Sequence, residues 1–238
     1  MPPDRACSPA RRLVEGDPTP SRSEIRYSPL FHGLTPASRS VSVLSADSNW
    51  SIRSRKAAIS LSLAAGSRVA VLEGDLATTK DAERIAALDV PVVQLLTEGG
   101  CHLTPTLVQE GMRRLPLDEI DLLLIENVGN PICPANFDLG EHFRVAVLSV
   151  TEGDDKPAKY PYLFKVADLV VVTKTDLLAS TDFDFDEAVG PIRAFDPEKP
   201  ILRTSINDPA GFQAVAERLT NVRDRSPRET HRLGAPSL

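Results

Sequence analysis

Short runs of aliphatic and β-branched residues recur along the chain from Val41 onward and alternate with segments whose apolar residues follow a helical spacing. The runs predict strands at VSVL (41–44), RVAVLE (68–73), VPVVQLL (90–96), DLLLIE (121–126), RVAVLSV (144–150), DLVVVT (168–173) and PILRTS (200–205). The intervening segments predict helices at AERIAAL (82–88), TPTLVQEGMRRL (104–115), FDEAVGPIRAF (185–195) and PAGFQAVAERL (209–219). Continuous apolar runs are typical of strands buried on both faces, so the alternation predicts a mostly parallel, doubly wound α/β sheet.

The two ends of the chain lack this pattern. Residues 1–40 contain seven prolines and no sustained apolar period, so we expect a flexible, disordered leader there. The α/β domain is expected to occupy residues 41–221, and the polar residues 222–238 are expected to form a frayed tail.

Composition and charge narrow the class of protein. A hydrophobic content of 42% with 25% charged residues is that of a globular protein. The net charge is −6, and residues 1–66, with nine Arg or Lys and five Asp or Glu, contribute +4, so residues 67–238 carry −10. That field would repel phosphates, so we expect no nucleic-acid partner. No apolar run approaches the roughly 18 residues of a membrane span, and no secretory h-region is visible, so we expect no membrane partner and a cytoplasmic protein.

The carboxyl ends of the predicted strands collect the residues that can carry chemistry, as expected for an open α/β sheet. Cys101 and His102 follow the third run, and Cys133 follows the fourth. Thiolate and imidazole ligands suit Ni(II) in square-planar geometry or Zn(II) in tetrahedral geometry, and three ligands leave one position open. The structural alternative is that both cysteines are small buried hydrophobic residues and His102 is an ordinary loop residue.

Several segments in these regions resemble one family. They are EGDLATTKDAERI (73–85), GGCHL (99–103), IENVGNPICPANFDLGE (125–141), LSVTEGDDKPAKYPYLF (148–164) and VVTKTDLL (171–178). Together they resemble the HypB family, the nickel-inserting GTPases of [NiFe] hydrogenase maturation, over about residues 67–220. The resemblance implies a P-loop NTPase fold of the SIMIBI type and a nickel site at Cys101, His102 and Cys133. Urease-side nickel GTPases share that fold but carry a different switch sequence.

The same resemblance assigns the nucleotide residues. Thr173, Lys174 and Asp176 stand where GTPases carry the guanine-recognition motif, and Ser205 begins the last guanine loop. An aspartate there accepts hydrogen bonds from the guanine N1–H and exocyclic amine. As catalytic residues, Asp75 and Glu126 resemble the carboxylates near Mg²⁺, and Gly129 would let the switch backbone approach the γ-phosphate. The structural alternatives are a surface turn for the lysine motif, a turn residue for Asp75 and a strand-end ion pair for Glu126.

The phosphate-binding loop expected of such a protein is not recognisable. No G-x-x-x-x-G-K-[ST] run occurs in the sequence, and its expected place, 47–53, reads DSNWSIR. Without its amides and lysine, most of the electrostatic stabilisation of the triphosphate would be lost. Two explanations remain open: loss of the loop in a genuine family member, or a mis-started or frame-altered gene product upstream of about residue 66.

These observations predict a nickel-binding, GTPase-like maturation factor that delivers nickel to [NiFe] hydrogenase, with GTP hydrolysis low or absent. The resemblance implies GTP and Mg(II) as ligands, and a homodimer. It also implies hydrogenase maturation proteins and the hydrogenase large subunit as partners. The alternative is a non-hydrolysing nickel- or zinc-binding protein or scaffold. An unrelated Rossmann-type enzyme is set aside because the sequence has no G-x-G-x-x-G.

Overall fold

The computed structural model describes residues 39–45, 66–75, 85, 88–97 and 99–224. The strands within these ranges are β1 (Arg39–Ser45), β2 (Val69–Asp75), β3 (Val92–Leu96), β4 (Leu122–Glu126), β5 (Phe143–Ser149), β6 (Leu169–Thr173) and β7 (Ile201–Arg203). The α-helices are α1 (Pro105–Met112), α2 (Lys156–Lys159), α3 (Pro161–Val166), α4 (Phe185–Phe195) and α5 (Pro209–Thr220). Short 3₁₀ turns lie at Leu117–Glu119, Pro134–Asn136, Val150–Glu152, Thr175–Ser180 and Asn221–Asp224.

The described strands form one sheet in the order β3-β2-β4-β1-β5-β6-β7. Every neighbouring pair is parallel. The chain moves outward from β1 to β2 and β3, returns to place β4 beside β1, and then continues on the other side with β5. The sheet therefore has a topological switch point at β1, where α/β proteins bind ligands. The mostly parallel, doubly wound α/β class predicted from the sequence is confirmed.

Successive residues of the central strands pack on opposite faces of the sheet, as the two-residue period of a strand requires. In β6, Leu169 and Val171 join a core with α5 on one face, whereas Val170 and Val172 join α3 and α4 on the other. In β4, Leu123 and Ile125 pack with α1. Because helices cover both faces, the strands read as continuous apolar runs.

Two of the predicted helix starts have the capping geometry that their sequences suggest. The Thr104 hydroxyl accepts a hydrogen bond from the Leu107 amide at 3.3 Å, and Pro105 occupies the first turn of α1. The Asp208 carboxylate accepts one from Ala210 at 3.0 Å at the start of α5. These caps satisfy amides that have no partner within the helix, and proline loses nothing at that position.

The element bounds differ from the predicted ones in places. Helix α1 ends at Met112 rather than Leu115, and β7 ends at Arg203 because Ser205 bridges to Asp208 in the turn before α5. Helices α2 and α3 were not predicted, since each is short and begins with a proline-containing turn. β1 begins at Arg39, and Val222, beyond α5, is buried in the core.

Some sequence predictions fall on residues that the structure does not describe. These are the leader before Arg39, the expected phosphate-loop position 47–53, most of the helix at 82–88, and the tail after Asp224. Within that predicted helix, Ile85 is helical and buried. In the described part of the chain, no helix has the length and apolar character needed to cross a membrane.

Candidate functional site

Cys101, His102 and Cys133 come together at the carboxyl edge of the sheet. One ligand atom from each residue lies within 4.8 Å of the other two, and all three residues are half-buried. Neither cysteine forms a disulfide bond with another described residue. Cys101 and His102 follow β3, whereas Cys133 follows β4, so the cluster joins two loops that are 32 residues apart in sequence. The structure therefore brings together all three residues that the sequence predicted as metal ligands.

A tight turn carries Cys101 and His102 away from β3. The Gly100 amide donates to the Thr97 carbonyl at 2.8 Å, and the Thr97 hydroxyl donates to the Gly100 carbonyl at 2.7 Å. Gly99 lies within this turn at φ +92°, a conformation that side chains with a Cβ rarely adopt. The turn thus depends on a glycine two residues before Cys101.

Leu103 anchors the other end of the same loop. Its side chain is fully buried, and its amide donates to Asn127 Oδ1 at 2.8 Å. Asn127, the first residue after β4, also accepts from the Val128 amide at 3.0 Å. A Cβ on Gly74 would lie 2.8 Å from Leu103 Cγ, so only glycine in β2 leaves room for this anchor. The loop that carries Cys101 and His102 is therefore held to β2 by packing and to the end of β4 by a hydrogen bond.

Cys133 is placed by Asn130. The Asn130 carboxamide oxygen accepts hydrogen bonds from the amides of Ile132, at 2.8 Å, and Cys133, at 3.2 Å. Asn136 donates to the Ile132 carbonyl at 2.8 Å and closes the segment from its other side. Hydrogen bonds from asparagine side chains to neighbouring backbone groups thus fix the conformation of this loop, which contains no α-helix or strand.

The imidazole of His102 has two close neighbours. Nδ1 lies 3.6 Å from Cys101 Sγ, and the Phe137 ring stacks on the imidazole with centroids 3.9 Å apart and planes 16° from parallel. Partial burial lowers the pKa of His102 below its ordinary value, because desolvation disfavours the charged form. The neutral imidazole is the form that binds metal.

A buried ion pair supports the segment that carries Phe137. Arg144, in β5, donates to the Phe137 carbonyl at 3.0 Å and pairs with Glu141, and both charged side chains are almost fully buried. Asp138 lies 3.5 Å from the same guanidinium and also accepts from the Gly140 amide at 2.8 Å. The loop after Cys133 is thereby tied to the middle of the sheet.

The four predicted guanine-recognition residues also meet at this edge, at the ends of β6 and β7. Thr173 is buried and ends β6, and Lys174 adopts a left-handed conformation with φ 57°. Ser205 donates to Asp176 Oδ1 at 2.8 Å, so the two loops are joined directly. Lys174 Nζ lies 3.3 Å from the Thr151 hydroxyl. Asp176 is exposed, with a carboxylate available to a ligand.

The residues predicted to act near Mg²⁺ occupy the ends of the inner strands. Glu126 is the last residue of β4 and pairs in register with Glu73 of β2 and Val43 of β1. Asp75 ends β2, and its side chain lies outside the described atoms. Gly129 lies in the loop between Glu126 and Cys133 and is half-buried. A magnesium site at these residues stays a prediction.

The donor set at the thiol–imidazole cluster fits a late transition metal. Two sulfur atoms and one imidazole nitrogen within 4.8 Å can move onto one ion by small side-chain rotations. Soft thiolate donors disfavour Mg²⁺ and Ca²⁺, and an N/S set suits Ni(II) or Zn(II). Three ligands from one chain leave a coordination position for a further donor.

Sequence reasoning missed the residues that hold the three candidate ligands in place. The Asn-x-x-Cys spacing of Asn130 and Cys133 is a local signal for an asparagine turn and could have revealed the role of Asn130. Asn127 could have been suspected as a polar residue directly after a buried strand. No sequence pattern links Phe137 to His102 or Arg144 to Phe137, because these contacts depend on how separate loops pack.

The fold and this site define a nucleotide-binding α/β domain of the CobW/HypB/UreG class. The family model described as "CobW/HypB/UreG, nucleotide-binding domain" matches residues 57–203. The hydrogenase maturation factor HypB of Escherichia coli K12 is 48% identical over 143 residues, covering 60% of this chain and 49% of that protein. The probable HypB of Methanocaldococcus jannaschii is 43% identical over 150 residues, covering 63% of this chain and 68% of that protein.

A solved structure of a HypB protein has the same fold as this chain. The crystal structure of HypB from Helicobacter pylori in complex with nickel aligns with a TM-score of 0.75 at 30% identity, covering 82% of this chain and 92% of that one. The chain belongs to the HypB family of hydrogenase maturation factors, as the sequence motifs indicated. It spans about half the length of the E. coli relative, at 49%.

Proposed function

We propose that this protein is a nickel-binding, GTPase-like maturation factor that carries nickel for delivery to [NiFe] hydrogenase, with Cys101, His102 and Cys133 as the metal ligands. The observation that carries the proposal is the meeting of these three donors within 4.8 Å on two separately anchored loops. The nickel complex of H. pylori HypB supports the choice of metal. Zn(II) is the competing ion, because the same donor set accepts tetrahedral geometry.

The number of ligands favours delivery of the metal over its storage. A closed four-ligand site releases its ion slowly, whereas three half-buried ligands leave a position through which a receiving protein can add a donor. By its family, this protein would exchange nickel with other hydrogenase maturation proteins and the hydrogenase large subunit. A homodimer, in which a second copy completes the coordination, belongs to the same proposal, as does a cytoplasmic location.

The nucleotide side of the proposal is limited to guanine recognition. Asp176 is exposed and accepts a hydrogen bond from Ser205, and Lys174 begins the same loop. In this proposal, the Asp176 carboxylate accepts from the guanine N1–H and amine. GTP with Mg²⁺ is the family's ligand, with Asp75, Glu126 and Gly129 nearest to the phosphates. The metal loops and the guanine loops leave the same edge of one parallel sheet, so nucleotide contacts could bias the metal loops through a two-state switch.

The second candidate is a non-hydrolysing nickel- or zinc-binding protein or scaffold. It is favoured by the sequence at 47–53, which has neither the glycines nor the lysine of a phosphate loop. Such a protein would keep the thiol site and lose the nucleotide-driven step. Nucleotide binding by a fluorescent GTP analogue separates the two candidates.

The metal assignment is tested by titrating the purified chain with Ni²⁺ and Zn²⁺ in a calorimeter, with GTP added to a parallel sample. We expect saturable Ni²⁺ binding in the native protein and none in the variant carrying Cys101→Ala with Cys133→Ala. Cys7→Ala is the matched control, because Cys7 has no predicted role, and its binding should equal that of the native protein. Undiminished affinity in the double variant would overturn the site assignment.

A further inference from the structure

Phe137 is an exposed aromatic residue whose ring is fixed against a proposed metal ligand. It is 42% exposed, yet its ring lies face to face with the His102 imidazole at a centroid separation of 3.9 Å. Phe137 is in none of the hydrophobic core clusters that the described residues form. Its position therefore calls for an explanation other than stability.

An imidazole that binds a metal must be held with one ring nitrogen facing the ion, and the side-chain torsions of histidine do not fix the ring in that orientation. The outer torsion of a histidine side chain is broad, so the ring swings unless a neighbour restrains it. Metal-binding histidines are usually restrained by a hydrogen bond from the second ring nitrogen to a carboxylate or carbonyl. Among the residues that the structure describes, none accepts such a bond from His102. The stacked Phe137 ring can restrain the His102 imidazole instead of such a hydrogen bond.

Phe137 is itself held by the sheet. Its carbonyl accepts a hydrogen bond from Arg144 Nη2 at 3.0 Å, and its amide donates to the Pro134 carbonyl at 3.4 Å. Arg144 belongs to β5 and is almost fully buried in an ion pair with Glu141. A rigid strand thus sets the position of the Phe137 backbone and, through it, the ring.

We propose that Phe137 is a positioning residue that holds the His102 imidazole so that Nδ1 faces the metal beside the Cys101 sulfur. This inference rests on the proposed function of Cys101, His102 and Cys133 as nickel ligands. In the structure Nδ1 already lies 3.6 Å from Cys101 Sγ, which is the arrangement that stacking preserves. Phe137 offers the metal no donor atom, so it acts only through His102.

Three substitutions separate stacking from simple shielding. Phe137→Ala removes the ring, Phe137→Leu keeps an apolar side chain without a flat face, and Phe137→Tyr keeps the flat face. Ile132→Ala is the matched control, because Ile132 is a 56% exposed apolar residue of the same segment and has no aromatic ring to stack on His102. Thermal unfolding of each variant shows whether the fold is retained.

The first readout needs no metal. In the proton NMR spectrum of the metal-free chain, the ring current of Phe137 should shift the His102 ring protons upfield. We expect that shift to persist in Phe137→Tyr and Ile132→Ala and to vanish in Phe137→Ala and Phe137→Leu. Unshifted His102 protons in the native chain would overturn the proposal.

The second readout is Ni²⁺ affinity together with the nickel–thiolate absorption spectrum. Loss of an outer-shell partner typically lowers metal affinity by roughly 10–100-fold, so we expect that loss and an altered spectrum in Phe137→Ala and Phe137→Leu. Phe137→Tyr should restore both, and Ile132→Ala should match the native protein. Native affinity and spectrum in Phe137→Ala would overturn the positioning role while leaving the nickel site intact. Absence of Ni²⁺ binding in the native chain would overturn both proposals together.

Discussion

The carboxamide oxygen of Asn127 accepts a hydrogen bond from the backbone amide of Leu103 at 2.8 Å, across 24 residues of sequence. This bond joins the loop after β3, which carries Cys101 and His102, to the end of β4, from which the chain leads to Cys133. The three candidate ligands lie on these two loops, so this hydrogen bond helps to keep them together. A buried hydrogen bond that involves none of the candidate ligand atoms thus links the two loops of the candidate metal site.

Replacing Asn127 by alanine should therefore weaken both the fold and the metal site. Asn127 is buried, and its loss leaves the Leu103 and Val128 amides without their acceptor. A buried donor left unsatisfied costs about 1–3 kcal/mol. We expect that loss in urea unfolding, together with weaker Ni²⁺ binding. Asn136→Ala, at an exposed asparagine nearby, should lower the free energy of unfolding by less than about 1 kcal/mol. An equal loss of unfolding free energy in both variants would contradict the argument.

Adding one methyl group at Gly74 should disturb the same loop from the β2 side. A Cβ there would lie 2.8 Å from Leu103 Cγ, so Leu103 must shift and carry the His102 backbone with it. Overpacking of this kind costs about 1–3 kcal/mol. We expect Gly74→Ala to lower both the free energy of unfolding and the Ni²⁺ affinity.

Gly190→Ala is the control for that experiment. Gly190 lies in α4 with nothing within 4 Å of an added Cβ, and alanine favours a helix more than glycine does. Because Gly190 precedes Pro191, whose ring crowds a Cβ on the preceding residue, that gain is offset. We expect Gly190→Ala to change the free energy of unfolding by less than about 1 kcal/mol and to leave Ni²⁺ binding unchanged. A stable Gly74→Ala variant with native nickel affinity would show that Leu103 does not constrain the ligand loop.

Nickel binding should weaken as the pH falls, because thiols and imidazole bind metal only after losing their protons. Burial lowers the pKa of His102 from its ordinary value of 6.5, so the imidazole stays neutral to a lower pH than a free histidine. The imidazole should consequently contribute few of the protons that metal binding displaces at neutral pH. Calorimetric titrations in buffers of different ionisation enthalpy, repeated from mildly alkaline to mildly acidic pH, measure the number released. Constant affinity over that range would exclude thiolate ligands.

GTP turnover should be very slow or absent, and any remaining nucleotide binding should prefer guanine. The guanine loops are joined by the Ser205–Asp176 hydrogen bond, whereas the sequence has no phosphate-loop motif. Loss of one preorganised donor costs roughly 10²–10³ in rate, and several are missing here. A phosphate-release assay, with Asp176→Ala beside the native chain, tests this. Turnover at the rate of ordinary P-loop GTPases that disappears in Asp176→Ala would show that another residue has replaced the lysine.

The seven strands of the sheet and the three candidate metal ligands could be predicted from the sequence alone. Continuous apolar runs marked the strands, because a strand buried on both faces needs an apolar side chain at every position. Thr104 and Asp208, each followed by a proline, marked two helix starts, since capping is a local interaction. Cys101, His102 and Cys133 were recognisable because their chemistry is rare and because they follow predicted strands.

The order of the strands and the contacts that hold the candidate site could not be predicted from the sequence. The placement of β1 between β4 and β5 depends on packing between segments that are far apart in sequence, which no local pattern records. In the sequence, nothing distinguishes Phe137 from other apolar residues or Arg144 from other charged residues, because their contacts form only when the loops pack together. Their roles come from the positions of the His102 ring and the Phe137 carbonyl, and those positions exist only once the sheet has formed.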